Sequence, residues 1–92
     1  MDMDTPSRSA TSALFAEQLR AERAARRLSR AELAKASGVS AKAIQRLEEN
    51  EREMDTDQID RLCRALGVSV LDFVTRAAER MPPADRGTSK TG

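Results

Sequence analysis

Three side chains in one short stretch, Lys42, Gln45 and Arg46 of SAKAIQRLEEN (residues 40–50), have the types and spacing in this 92-residue chain to hydrogen-bond an external partner from one helix face. Lysine and arginine can each donate to the O6/N7 edge of guanine, and glutamine matches the N6/N7 edge of adenine. Either cation can instead neutralise a phosphate. Ala41 beside them offers only a methyl group, suited to the methyl of thymine. Ile44 and Leu47 stand between these positions at helical spacing, so burying the two apolar residues turns Ala41, Lys42, Gln45 and Arg46 to solvent. Other chemistries are poorly provided for. There is no histidine and one cysteine, which denies a single chain a zinc site or a disulfide framework. The carboxylates are spread over solvent-facing helix positions, so no enzyme and no cofactor is expected. Two phenylalanines, without Trp or Tyr, disfavour a binder that stacks single-stranded bases on rings.

The elements that must position these residues lie in Leu28–Asn50, LSRAELAKASGVSAKAIQRLEEN. Ser29 is a good N-cap, and Glu32 three residues on completes a capping box for a helix over Arg30–Ser37. Gly38 stands where that helix must stop and supplies the left-handed turn. Ser40 caps a second helix running to about Glu49. Leu33, Ala34, Val39, Ile44 and Leu47 fit two helices packed at an angle, a helix-turn-helix in which the second helix enters the major groove of DNA. The free N–H groups and positive dipole end of the first, flanked by Ser29 and Arg30, would seat a phosphate. The net charge is only +1 but is unevenly placed: residues 8–46 carry +6 and residues 47–81 carry −4. That asymmetry suits one face for phosphate and another for protein. The bland alternative is a merely soluble Arg-rich helical surface.

The ordered residues Leu28, Ser29, Glu32, Leu33, Ala34, Gly38, Val39, Ser40, Ile44, Arg46, Leu47 and Glu48 make L-S-x-x-E-L-A-x-x-x-G-V-S-x-x-x-I-x-R-L-E. This resembles the lambda-repressor-like (Cro/repressor, Xre-type) DNA-binding family, over roughly Leu14 to Ala78. The resemblance implies an all-α, compact five-helix domain with the helix-turn-helix at its second and third helices. It implies a DNA-facing set of Ser29, Arg30, Ser40, Ala41, Lys42, Gln45, Arg46, Asn50 and Arg52. It also pairs the helix-one arginine, Arg23, with the glutamate that closes the recognition helix, Glu48, as a partly buried structural ion pair. Departures are visible. Arg27 and Asn50 stand where the family usually has glycine, and asparagine tolerates a left-handed cap better than most residues. Arg30 replaces a common glutamine. Glu51 and Glu53 would repel phosphate in a loop where only Asn50 and Arg52 could help.

Outside the motif, Ser12 is expected to cap a first helix running to about Arg27, with Leu14, Phe15 and Leu19 on its apolar side and Glu22 and the arginines elsewhere. A fourth helix over Asp57–Leu66, capped by Thr56, puts Ile59, Leu62, Cys63 and Leu66 on one stripe, which makes Cys63 an inert core thiol rather than a redox sensor. A fifth helix starts after Ser69 and runs to about Met81, with Val70, Phe73 and Ala77 suited to the core. Leu71, Val74, Ala78 and Met81 form a second stripe, read as a homodimer interface; the alternative is a longer core wrapped by the N-terminal arm. Residues 1–11 read as a disordered arm, 12–81 as the domain and 82–92 as a disordered tail with no effector domain following. No run suits a membrane span and nothing at the start resembles a signal peptide, so a cytoplasmic protein is expected.

The expected function is a sequence-specific, double-stranded DNA-binding transcriptional regulator, a repressor by steric exclusion, acting as a homodimer on a near-palindrome. The alternative is an antitoxin or other module that uses the same fold to bind a protein partner through the acidic half and the fifth helix.

Overall fold

The structure, a computed structural model, describes residues 9–81; the expected arm (residues 1–8 of it) and the tail (82–92) lie outside the described residues. Five helices follow in chain order: α1 (Ala10–Ala25), α2 (Arg30–Ser37), α3 (Ala41–Glu48), α4 (Thr56–Leu66) and α5 (Val70–Ala78). The architecture is all-α among the described residues. α1 packs against α5 and α3, α2 sits against α3 and α4, and α4 also meets α5. No helix among the described residues is long and apolar enough to cross a membrane.

Each helix starts where a short polar side chain accepts from the backbone N–H three residues on: Ser9 from Ser12, Ser29 from Glu32, Ser40 from Ala43, Asp55 from Gln58 and Ser69 from Asp72. Two starts differ from expectation. α1 is capped by Ser9 rather than Ser12, so Ala10 and Thr11 are helical and not part of an arm. Ser12, one turn inside, sends its hydroxyl to Asn50 Oδ1 at 2.8 Å instead. α4 is capped by Asp55 rather than Thr56, because Gln58 returns its side chain to the Asp55 N–H and closes a reciprocal capping box.

The helix ends use left-handed residues. Gly38 (φ 81°) ends α2 and Gly67 (φ 73°) ends α4, but Arg27 (φ 55°) and Asn50 (φ 58°) take the same conformation without being glycine. At Arg27 the turn is as sharp as in the glycine-ended helices. The Leu28 N–H reaches Arg23 O at 3.1 Å and the Arg27 N–H reaches Ala24 O at 3.0 Å, the paired bonds of a Schellman turn. The chain accepts about 1–2 kcal/mol of left-handed strain at such a residue to make that turn.

The core is Leu19, Leu33, Val39, Ile44, Leu47, Leu62, Cys63, Leu66, Val68 and Phe73, with Phe15 packed at its edge. Phe15 and Phe73 meet edge to face, with ring centroids 5.6 Å apart, and tie α1 to α5. Cys63 is buried on its stripe, and burial, then the charges of Glu22 and Asp60, push its thiol up to about 11. Val70 was expected in the core and is 42% exposed. It opens α5 directly after the Ser69 cap, and the inward face of that helix is supplied by Phe73 and Ala77 instead.

Candidate nucleic-acid interface

α3 is an eight-residue helix that presents a sharply divided surface. Ile44, Leu47 and Glu48 are buried, whereas Ala41, Lys42 and Arg46 are exposed and Gln45 is half-buried. Neither Lys42 nor Arg46 is held in an ion pair among the described residues, so both ammonium and guanidinium are available to an external acceptor. Together with Ser40, Arg52 and Gln58 they line a depression of about 170 Å³. Three cations around one concave patch make a local positive potential suited to a phosphate or to the acceptor edge of a base.

The remaining residues of the expected set are placed less simply. Ser29 is exposed at the start of α2, with its hydroxyl accepting from the Glu32 N–H at 3.0 Å. Arg30 turns its Nε to Glu48 Oε1 at 2.9 Å, and its side chain stays about one-third exposed. Asn50 accepts from Ser12 and so joins the end of α3 to the start of α1. Gln45 lies 3.4 Å from Glu49 Oε2, a long contact that a ligand could displace. Arg52 is exposed in the loop after α3, among Glu51 and Glu53.

Glu48 is fully buried at the end of α3. Arg23 grips it with two nearly parallel bonds, Nε to Oε2 at 2.6 Å and Nη2 to Oε1 at 2.9 Å, and sends Nη1 to Leu28 O at 2.9 Å. Arg30 adds a third bond to the carboxylate, and Arg20 donates to the Glu48 carbonyl. Burial pushes the Glu48 carboxyl up, but hydrogen bonds and charge from Arg23 and Arg30 outweigh it and hold it below the usual carboxylate value. One buried carboxylate thus fixes the recognition helix to α1 and α2 at once. The family resemblance implies Arg23 as the partner; Arg30, expected at a phosphate, is a second one.

A second buried carboxylate was missed entirely. Glu22, next to Arg23 on α1, was placed among the solvent-facing residues but is buried. Its oxygens accept from Gln18 Nε2 at 2.7 Å, Arg26 Nη1 at 2.7 Å and Arg76 Nη1 at 2.9 and 3.2 Å. Arg80 Nε caps the network on Gln18 Oε1 at 2.6 Å. Burial raises the Glu22 carboxyl, and the bonds from Arg76, Gln18 and Arg26 bring it below its ordinary value. The signal that marks it is a ladder: Gln18 and Glu22 on α1 and Arg26 at its C-cap, at four-residue steps, meet Arg76 on α5 and Arg80 in the turn just beyond it.

α5 ends at Ala78, short of the expected end at about Met81, so Met81 lies in the turn beyond the helix; among the described residues nothing covers the apolar stripe that Leu71, Val74 and Ala78 make with it. Leu71 is 73% exposed and Val74 36%, Ala78 is exposed and Met81 half-buried. Val74, Ala78 and Met81 line, with Thr75 and Glu79, a shallow groove of about 490 Å³. No group of acidic, Cys or His residues that could hold a metal ion occurs among the described residues.

This geometry agrees with what is known of other proteins. The family profile described as "Helix-turn-helix domain" matches residues 14–73. A comparison with curated protein sequences gives no significant match. Among solved structures, the clp gene regulator ClgR from Corynebacterium glutamicum superposes with a TM-score of 0.75 at 32% identity, covering 83% of this chain and 99% of that one. A second crystal structure of the same regulator gives a TM-score of 0.73 at 31% identity, covering 80% of this chain and 79% of that one. With a helix-turn-helix whose second helix exposes unpaired cations, a profile match over most of the described residues and this structural likeness, the chain belongs to the Xre/Cro-like helix-turn-helix family of DNA-binding transcriptional regulators.

Proposed function

We propose that the protein reads a specific double-stranded operator as a homodimer, with Lys42, Gln45 and Arg46 of α3 at base edges and Ser29, Arg30, Ser40, Asn50 and Arg52 toward the backbone. The single observation that carries this reading is the exposed, unpaired Lys42–Arg46 pair on a helix whose other face is locked by Glu48. Ala41 would touch a thymine methyl. Two such helices, related by a twofold axis through the α5 stripe of Leu71, Val74, Ala78 and Met81, would enter successive major grooves about 34 Å apart and read a near-palindrome. Seated over a promoter, a dimer of this size excludes polymerase and represses. Its affinity falls with salt, because each neutralised phosphate releases counterions. The structural likeness to a regulator of clp genes supports a role at promoters.

Crosslinking the tagged protein in its host and sequencing the bound DNA tests this. Sharp peaks that contain an inverted repeat and vanish in Lys42→Ala/Arg46→Ala are expected. Equal enrichment by that variant would sink the proposal. A second reading, a module that binds a protein partner, draws on the large exposure of Leu71. In that case a co-purifying partner survives the Lys42/Arg46 change and is lost on Leu71→Glu.

A further inference from the structure

The two buried carboxylates are joined by α1. Glu22 and Arg23 are consecutive: Glu22 anchors α5 through Arg76, and Arg23 anchors α3 through Glu48. Arg26, which donates to Glu22, also donates from Nε to Leu66 O at 2.6 Å, at the last residue of α4 and the entry to the turn before α5. α5 therefore has a polar lock on α1 as well as the apolar contact of Phe73 and Ala77. Apolar packing resists separation but tolerates small sliding and rotation. A carboxylate that accepts from three side chains on two helices does not, because each bond has a direction as well as a distance.

We propose that Glu22, with Gln18, Arg76 and Arg80, is the positioning cluster that sets the half-site spacing the dimer accepts. It fixes the orientation of the α5 dimer face relative to the recognition helix; this rests on the homodimer reading above. The orientation of α5 on α1, carried through Arg23 and Glu48 to α3, determines where the two α3 helices stand about the twofold axis. Glu22 touches neither DNA nor the second copy.

The test is the spacing profile. Wild-type protein is used to select binding sites from random 30-base-pair duplexes, and the recovered site is remade with one base pair inserted or deleted at its centre. One base pair displaces a half-site by about 3.4 Å and turns it by roughly 35°. Wild type is expected to lose about tenfold or more in affinity on either change, and Glu22→Gln about threefold or less, with the half-site sequence unchanged. Arg76→Ala/Arg80→Ala, which cuts only the exposed end of the network, is expected to relax the profile in the same direction should Glu22→Gln fold poorly. Folding is checked by the far-ultraviolet helical signal. A purely structural role would weaken all spacings by the same factor, and folded variants that keep the wild-type ratio overturn the proposal. Sedimentation of the wild type separates the two readings. A monomer with no spacing preference removes the homodimer and this proposal together, whereas a dimer whose sharp preference the variants share removes this proposal alone.

Discussion

Arg23→Met removes the two bonds that clamp Glu48 and a third to Leu28 O while keeping most of the aliphatic volume. The Glu48 carboxylate is fully buried and Arg23 is about one-fifth exposed, so the loss is that of a broken buried pair, about 3–5 kcal/mol. Arg30 still holds Oε1 at 2.9 Å, which places the expected cost near the lower end, about 3 kcal/mol. A domain of this size has about 4–11 kcal/mol of stability in total, so the variant stays folded only narrowly. With no Trp or Tyr, the assay is urea unfolding followed by circular dichroism at 222 nm. At an m-value of about 1 kcal/mol/M the midpoint falls by about 3 M. Glu48→Met leaves Arg23 without its partner and is expected to cost about 2–4 kcal/mol. The double variant Arg23→Met/Glu48→Met should recover much of the loss, to within about 2 kcal/mol of wild type, because neither buried charge remains and the more exposed Arg30 turns to water. Single variants that each cost less than about 1 kcal/mol, as at an exposed pair, would refute the reasoning. So would a double variant whose loss equals the sum of the two.

Glu48 and Glu22 both lie below their ordinary carboxyl value of about 4.5 in the folded state, so the unfolded chain binds more protons in acid. Their contribution is complete above about pH 5 and drains away as pH falls through the depressed folded values; unfolding midpoints should be flat from pH 7 to 5.5 and decline below pH 4.5, with a shallower decline in Glu48→Gln. Arg27→Gly relieves a left-handed arginine whose side chain is exposed, at some cost in unfolded-chain entropy, and should raise stability by about 0.5–1 kcal/mol in the same urea assay. Cys63 is buried with its thiol pushed up to about 11, so Ellman's reagent at pH 8 should label it only at the rate of global opening, and promptly in urea.

The parts of the fold legible in the sequence were those written in local spacing. Ser29 with Glu32, Gly38, Ser40 and Gly67 punctuate helices within four residues of themselves, and the core stripes follow a 3.6 period. The Arg23–Glu48 pair is legible only through the family resemblance, since Arg23 lies outside the motif that contains Glu48. What was not legible depends on pairings far apart in the chain. Arg76 and Arg80 meet Glu22 and Gln18 across 54 and 62 residues, so the four-residue ladder of Gln18, Glu22 and Arg26 points to a buried Glu22 only once those distant partners are placed against it. Arg30 is expected at a phosphate, and its bond to Glu48, 18 residues away, leaves no mark in local spacing. Ser9, not Ser12, caps α1, and Ser12 inside the helix donates instead to Asn50, 38 residues away, a partner that no local pattern marks. Val70 showed the limit of periodicity: the first residue of a helix satisfies the inward pattern while the helix end still faces water.

The most direct test of the central claim is selection of binding sites from a random duplex pool, run in parallel with wild type and with Lys42→Ala/Arg46→Ala at matched folded concentration. The account predicts that wild type enriches a near-palindromic site, with half-site centres about one helical turn apart, and that the double variant, with an unchanged unfolding midpoint, enriches nothing. Recovery of the same site by the variant, or no enriched site with wild type, would contradict it.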